Sequence, residues 1–152
     1  MLVDMPSISH MLWFDTQAEE AAEFYVSVFP DASILSISRG PDGNAFTVEF
    51  ELQGKRYTAL NGGPLFTFNE AFSIFVTVDG QEEVDYFWNA LTADGGEESR
   101  CGWLKDKYGL SWQIVPKQLG ECLGSSDPAV SSHAMAAMMK MSKIVVSELY
   151  PN

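Results

Sequence analysis

The sequence predicts an α+β fold made of two βαβββ modules followed by a C-terminal helical tail. Three observations predict it. Short runs of alternating apolar residues mark strands. Two acidic-faced segments with helical spacing interrupt those strands at matching places. The order strand–helix–strand–strand–strand then occurs twice, over 7–62 and over 71–116, as a weak internal repeat. With a tail over 117–152, the whole of 1–152 reads as one domain of ordinary size.

The first strand is residues 8–14, with Ile8, His10, Leu12 and Phe14 on one face and Ser9, Met11 and Trp13 on the other. "DTQAEEAAEFYVSVF" changes to helical spacing. Ala18, Ala21, Ala22, Tyr25, Val28 and Phe29 form its apolar stripe, and Glu19, Glu20 and Glu23 lie opposite. Asp15 or Thr16 is positioned to cap it, and Pro30 ends it. "SILSISR" is the second strand. "AFTVEFEL" is the third, with Phe46, Val48, Phe50 and Leu52 expected inward, and "YTALNG" is the fourth.

The second module opens on "FSIFVTV", continues in the helix "DGQEEVDYFWNALTADGG", and closes with the strands "ESRCGWLK" and "GLSWQIVP" around the turn "DKYG". "FDTQAEEAAEFY" and "VDGQEEVDYFW" resemble each other, which supports the repeat. In the tail, Asp127 precedes Pro128 as a helix cap, and Met135, Met138, Met139 and Met141 form a soft apolar strip. That strip suits a helix packed on the domain or on a partner chain.

Composition narrows the function. Hydrophobic residues make up 46% of the chain, with ten Phe and four Trp, which suffices for a packed core. The formal net charge of −12 disfavours nucleic acid and anionic membranes, whose ligands carry basic faces. The opening "MLVDMPSISHMLW" has no basic n-region or long apolar core, and no apolar run approaches the roughly 20 residues of a membrane span. Two cysteines, Cys101 in a predicted strand and Cys122, fit a reduced, cytoplasmic protein. No phosphate loop, dinucleotide fingerprint or Ser-His-Asp order is present. The "GGP" at 62–64 precedes no helix, and the second histidine, His133, sits in the tail.

Strand parity supplies the candidate site. Ser73, Phe75 and Thr77 share a face of the fifth strand, and Ser111, Gln113 and Val115 share one of the last. His10 is assigned to the matching parity of the first strand. These mixed faces are expected to line a concave, partly wet site, opposite apolar faces that bury against helices. Taken singly, His10 also reads as a hydrogen-bonded core or interface histidine, and Gln113 as a satisfied interior amide.

The doubled module resembles the vicinal oxygen chelate superfamily of glyoxalases, bleomycin and other antibiotic-resistance proteins, and extradiol dioxygenases. Within it, "LWFDTQAEEAAEFYVSVFPDASI", "YTALNGGPLFTFNEAFSIFVTV", "QEEVDYFWNAL", "GWLKDKYGLSWQIVPKQLGECL" and "AMAAMMKMSKI" resemble the PhnB-like group, also labelled 3-demethylubiquinone-9 3-methyltransferase. The resemblance implies a glyoxalase-like curved mixed sheet and a homodimer. It also implies a metal-ligand pattern in which His10 takes the first position, Ser73 and Thr58 replace two ligands, and Gln113 replaces a glutamate. One imidazole among neutral oxygens leaves a divalent ion without charge compensation. No adenosylmethionine motif supports the methyltransferase label.

Two readings of function stay open, with a purely structural dimer module as a third. In the first, the chain binds a small molecule without a cofactor, using Phe14, Thr58, Asn61, Ser73, Phe75, Trp103 and Gln113. In the second it is an enzyme, of lyase, isomerase or dioxygenase type with a divalent metal at His10 and Gln113, or with His10 as the catalytic acid or base. His10, Ser73 and Gln113 are expected to point into one cavity near Asn61 and Phe75.

Overall fold

The computed structural model describes residues 5–152, and the chain divides into two compact units at the Thr67–Phe68 bond. In the first unit, β1 (His10–Phe14), α1 (Ala18–Val28), β2 (Ala32–Arg39), β3 (Ala45–Leu52) and β4 (Lys55–Asn61) follow in order. The sheet order is β1-β4-β3-β2, with β1 parallel to β4 and the other pairs antiparallel. In the second, β5 (Ser73–Val78), α2 (Gly80–Thr92), β6 (Glu97–Glu98), β7 (Trp103–Lys105) and β8 (Ser111–Pro116) build the sheet β5-β8-β7-β6 with the same pattern of directions. The repeat seen in the sequence is therefore a repeat of topology.

One face of each sheet is dry. In the first unit α1 buries Ala18, Ala21, Ala22, Tyr25 and Val28, and its Tyr25 ring lies 6.1 Å from Phe50 of β3. Leu12, Val48, Phe50 and Ala59 complete that layer. Each large side chain taken from water there contributes about 1.5–3 kcal/mol. In the second unit α2 packs Val84, Phe87, Trp88 and Leu91 over β7 and β8, where Leu104, Trp112 and Ile114 are buried.

Helix starts depart from the sequence reading. Neither Asp15 nor Thr16 caps α1. Its cap residue is Gln17, without a side-chain cap bond, and the first helical N–H, of Ala18, donates to Asn61 Oδ1 at the end of β4 (2.8 Å). The second unit solves the same problem in the same way. The N–H of Gly80 donates to Gln118 Oε1, just beyond β8 (3.2 Å). Asp127 does cap its helix, accepting from Ala129 N–H at 2.9 Å ahead of Pro128.

Two further expectations are corrected. Phe46 is 57% exposed rather than inward, because β3 carries an extra residue where Ser38–Thr47 pairing gives way to Arg39–Ala45. The bulge turns Phe46 outward and puts Ala45 in the core. "ESRCGWLK" is not one strand: β6 and β7 are separated by a turn in which Cys101 takes φ 56° and donates its N–H to Met141 O at 2.9 Å.

The tail forms α3 (Lys117–Leu123), α4 (Pro128–Met138) and a 3₁₀ turn (Val146–Leu149) around its own small core of Leu119, Cys122, Ala134, Met141, Ile144 and Leu149. The methionine strip divides: Met138 and Met141 pack into this core, while Met135 and Met139 stay exposed. Gln81 of α2 holds the tail with both ends of its amide, donating to Ile144 O (3.1 Å) and accepting from Val146 N–H (2.8 Å). Gln81→Ala removes both bonds and should lower stability by about 1–3 kcal/mol, read as a fall in the urea midpoint. Among the described residues no helix is long and apolar enough to cross a membrane.

Candidate functional site

The first unit separates its candidate residues onto two faces. Paired residues on adjacent strands point to the same side of a sheet. β1 pairs His10 with Tyr57, Leu12 with Ala59 and Phe14 with Asn61. These form the row that meets α1, so His10 belongs to the helix-facing parity and not to the open one. Its exposed ring stands 5.5 Å from Tyr57, which stacks on Phe50 at 5.3 Å. Burial pushes the Tyr57 phenol up from its ordinary pKa. Phe14, expected as a ligand wall, is 3% exposed and is core. Asn61, expected as an anchor, is committed: besides accepting from Ala18 it donates Nδ2 to Ala45 O at 2.9 Å. Asn61→Ala should therefore lower stability by about 2 kcal/mol without changing any ligand affinity, measured by denaturant titration and calorimetry.

Thr58 faces the other way. It pairs with Met11 and Glu49 on the open side of the sheet, half-buried. Trp13 lies on that side too, donating its indole N–H to Gly63 O at 2.9 Å, with Phe66 edge-on at 5.0 Å. Gly62 allows this close approach, since a Cβ there would sit 2.4 Å from the indole. A cleft of about 560 Å³ opens beside the start of α1, lined by Asp15, Glu19, Asp42, Phe46 and Asn61 among others. Several of its polar groups are engaged within the protein: Glu19 makes a two-point ion pair with Arg39 (2.6 and 3.0 Å), and Asp42 accepts from Asn44.

The second unit brings its four candidates onto one face. Ser73 pairs with Ser111, Phe75 with Gln113, and Trp103 with Gln113 from the other side. Gln113 Nε2 donates to Ser73 Oγ at 3.0 Å. Phe75 is 57% exposed and Trp103 is half-buried, so two aromatic surfaces flank a polar centre. The opposite face carries Trp112, Ile114 and Leu104 into the core.

Sequence reading placed Ser111 on this face without naming it as a site residue, and passed over Lys105. Ser111 is 1% exposed, and its hydroxyl has no hydrogen-bond partner among the described residues. An unmet buried hydroxyl costs about 1–3 kcal/mol. Lys105, the pairing partner of Ser111 on β7, contacts Glu70 with Nζ 2.5 Å from Oε1. The hydrogen bond from Lys105 holds the Glu70 carboxyl below its ordinary value, and the same bond raises the lysine. Their shared parity with Gln113 was the available signal.

Comparison with known proteins adds the family. The model of the family described as 3-demethylubiquinone-9 3-methyltransferase matches residues 6–115. Among solved structures, a Bacillus cereus PhnB protein described as a putative 3-demethylubiquinone-9 3-methyltransferase is 32% identical. It covers 73% of this chain and 99% of its own, with a TM-score of 0.68. A Pseudomonas aeruginosa protein, 16% identical, covers 74% and 98% with a TM-score of 0.61. A variant of the fosfomycin resistance protein FosX from Listeria monocytogenes, solved with Mn(II) and a dihydroxypropylphosphonic acid, is 18% identical. It covers 71% of this chain and 89% of its own, with a TM-score of 0.53. No curated protein matches the chain.

Proposed function

The chain belongs to the 3-demethylubiquinone-9 3-methyltransferase family, the PhnB-like group with the glyoxalase fold, and from that premise we propose that it binds a small organic molecule on the open face of the β5-β8-β7-β6 sheet. The Gln113–Ser73 pair carries this reading. It sets an amide oxygen and a hydroxyl hydrogen toward a ligand, between Phe75 and Trp103. A ligand's polar group is fixed there while its apolar body covers the rings, the usual composition of a small-molecule site. Methyl transfer finds no support, since the family description is a label and the sequence carries no adenosylmethionine motif.

A divalent metal is implied by the fold family and by the Mn(II) of the Listeria relative. The residues of this chain do not suit one. His10 and Thr58 project from opposite faces of their own sheet, and Ser73 and Gln113 are neutral donors already bonded to each other. A divalent cation held this way lacks anionic ligands. The exposed imidazole of His10 supports a second reading, acid–base catalysis at the first unit. His10→Ala would then abolish turnover of any substrate found, with the urea midpoint little changed.

The reading is tested by a thermal-shift screen followed by calorimetry on the hits. Gln113→Ala should weaken a hit by about tenfold, some 1.4 kcal/mol, while wild-type affinity in that variant would sink the assignment. We place the protein in a reducing cytoplasm, in line with its two free cysteines, and as a homodimer. Each four-stranded sheet ends in edge strands that invite pairing. Sedimentation should give twice the chain mass at micromolar concentration, and a monomer there would overturn the dimer.

A further inference from the structure

We propose that Lys105 and Ser111 form an anion-binding end of the ligand face, and that Glu70 is an internal carboxylate which the carboxylate of a small monocarboxylic ligand displaces. The inference rests on the reading of that face as a ligand site and deepens it by naming the ligand class. Three observations meet here. Lys105 is the cation on the open face beside the polar centre, with Ser111 next to it in register and Ser73 beyond Ser111 on β5. Ser111 is buried with its hydroxyl unpartnered, so the face holds a donor that nothing among the described residues satisfies. Lys105 already holds a carboxylate, that of Glu70, from the segment just before β5.

Glu70 is well exposed and Lys105 about one-third exposed, so their ion pair is of the solvent-screened kind that contributes little to stability and yields readily to a competitor. A ligand carboxylate replacing Glu70 keeps the charge on Lys105 compensated. With the Lys105 side chain redirected toward the ligand, the second carboxylate oxygen can accept from the Ser111 hydroxyl, which has no partner among the described residues, in a charge-assisted bond. The body of the ligand then extends over Gln113 toward Phe75 and Trp103. Glu97, which pairs with Lys105 across β6, limits the guest to a single negative charge, since a dianion would be repelled.

The test uses benzoate, phthalate and benzyl alcohol at millimolar concentration, with backbone amide shifts of β5, β7 and β8 as the readout. Benzoate should bind wild type about fivefold or more tightly than benzyl alcohol, and more tightly than phthalate. Glu70→Gln, which frees Lys105, should strengthen benzoate about threefold or more and leave benzyl alcohol unchanged. Lys105→Met should erase the preference for benzoate. Equal binding of benzoate and benzyl alcohol in wild type and both variants, or phthalate matching benzoate, overturns this inference and leaves the ligand-face reading standing. No shift of these amides by any probe, in wild type or in Glu70→Gln, overturns both.

Discussion

Asp106→Ala should destabilise the protein by about 3–5 kcal/mol, read as a large fall in the urea midpoint with an unchanged slope. Asp106 is 3% exposed and holds the β7–β8 turn from within. Its Oδ1 accepts the N–H groups of Tyr108 (2.8 Å) and Leu110 (3.1 Å), and its Oδ2 accepts the indole N–H of Trp112 (2.8 Å). Leu110 and Trp112 are fully buried, so alanine would strand their donors away from water. Asp106→Asn keeps the shape but replaces one acceptor by an NH₂ group. It should fall between the two, with a shift in Trp112 fluorescence. A loss below about 1 kcal/mol for Asp106→Ala would show that water satisfies those donors.

Gly102→Ala should cost about 2–4 kcal/mol and loosen the tail in particular. Gly102 has φ +83°, and a Cβ there would lie 3.0 Å from the carbonyl oxygen of Ile114 and 3.3 Å from the Ile144 side chain. Backbone strain and crowding therefore act together. The Gly102 N–H donates to Ser142 O, and its carbonyl accepts from Ile114 N–H, so the residue links β8 to the tail. Hydrogen exchange should accelerate most at Gly102 and across Met141–Leu149, with β3 and β4 of the first unit unaffected. Uniform acceleration throughout the chain would contradict a local link.

Much of this architecture was legible in the sequence. "AFTVEFEL" gave the bounds of β3, and the likeness of "FDTQAEEAAEFY" to "VDGQEEVDYFW" announced two units with one topology. What escaped is what periodicity does not carry. A bulge breaks the alternation at Phe46 from the partner strand. The helix caps came from Asn61 and Gln118, some 40 residues from the N–H groups they serve, where a local capping rule has no reach. For His10, period two fixed which residues share a face but not which face meets the helix. The internal repeat held the answer. With "LWFD" set against "VTVD", Phe14 falls on Val78 and His10 on Ile74, the row beneath α2. On the second sheet the same logic placed Ser73, Phe75, Trp103 and Gln113 together, because Val78, Ile114 and Leu104 fill the opposite face without ambiguity.

The parallel pairing of the first and last strand in each unit sets an order of events during synthesis. β1 finds its neighbour only when β4 has been made, about 40 residues after Phe14, and β5 must wait similarly for β8. At about 5–20 residues per second, that is roughly 2–8 s during which "HMLWF" is outside the ribosome without its strand partner. The β2–β3–β4 meander pairs through nearby residues and can assemble first, leaving one place at its edge for β1. A nascent chain stalled between β3 and β4 would thus present an apolar strand to chaperones, whereas one stalled after Asn61 has left the exit tunnel would already hold a closed first sheet.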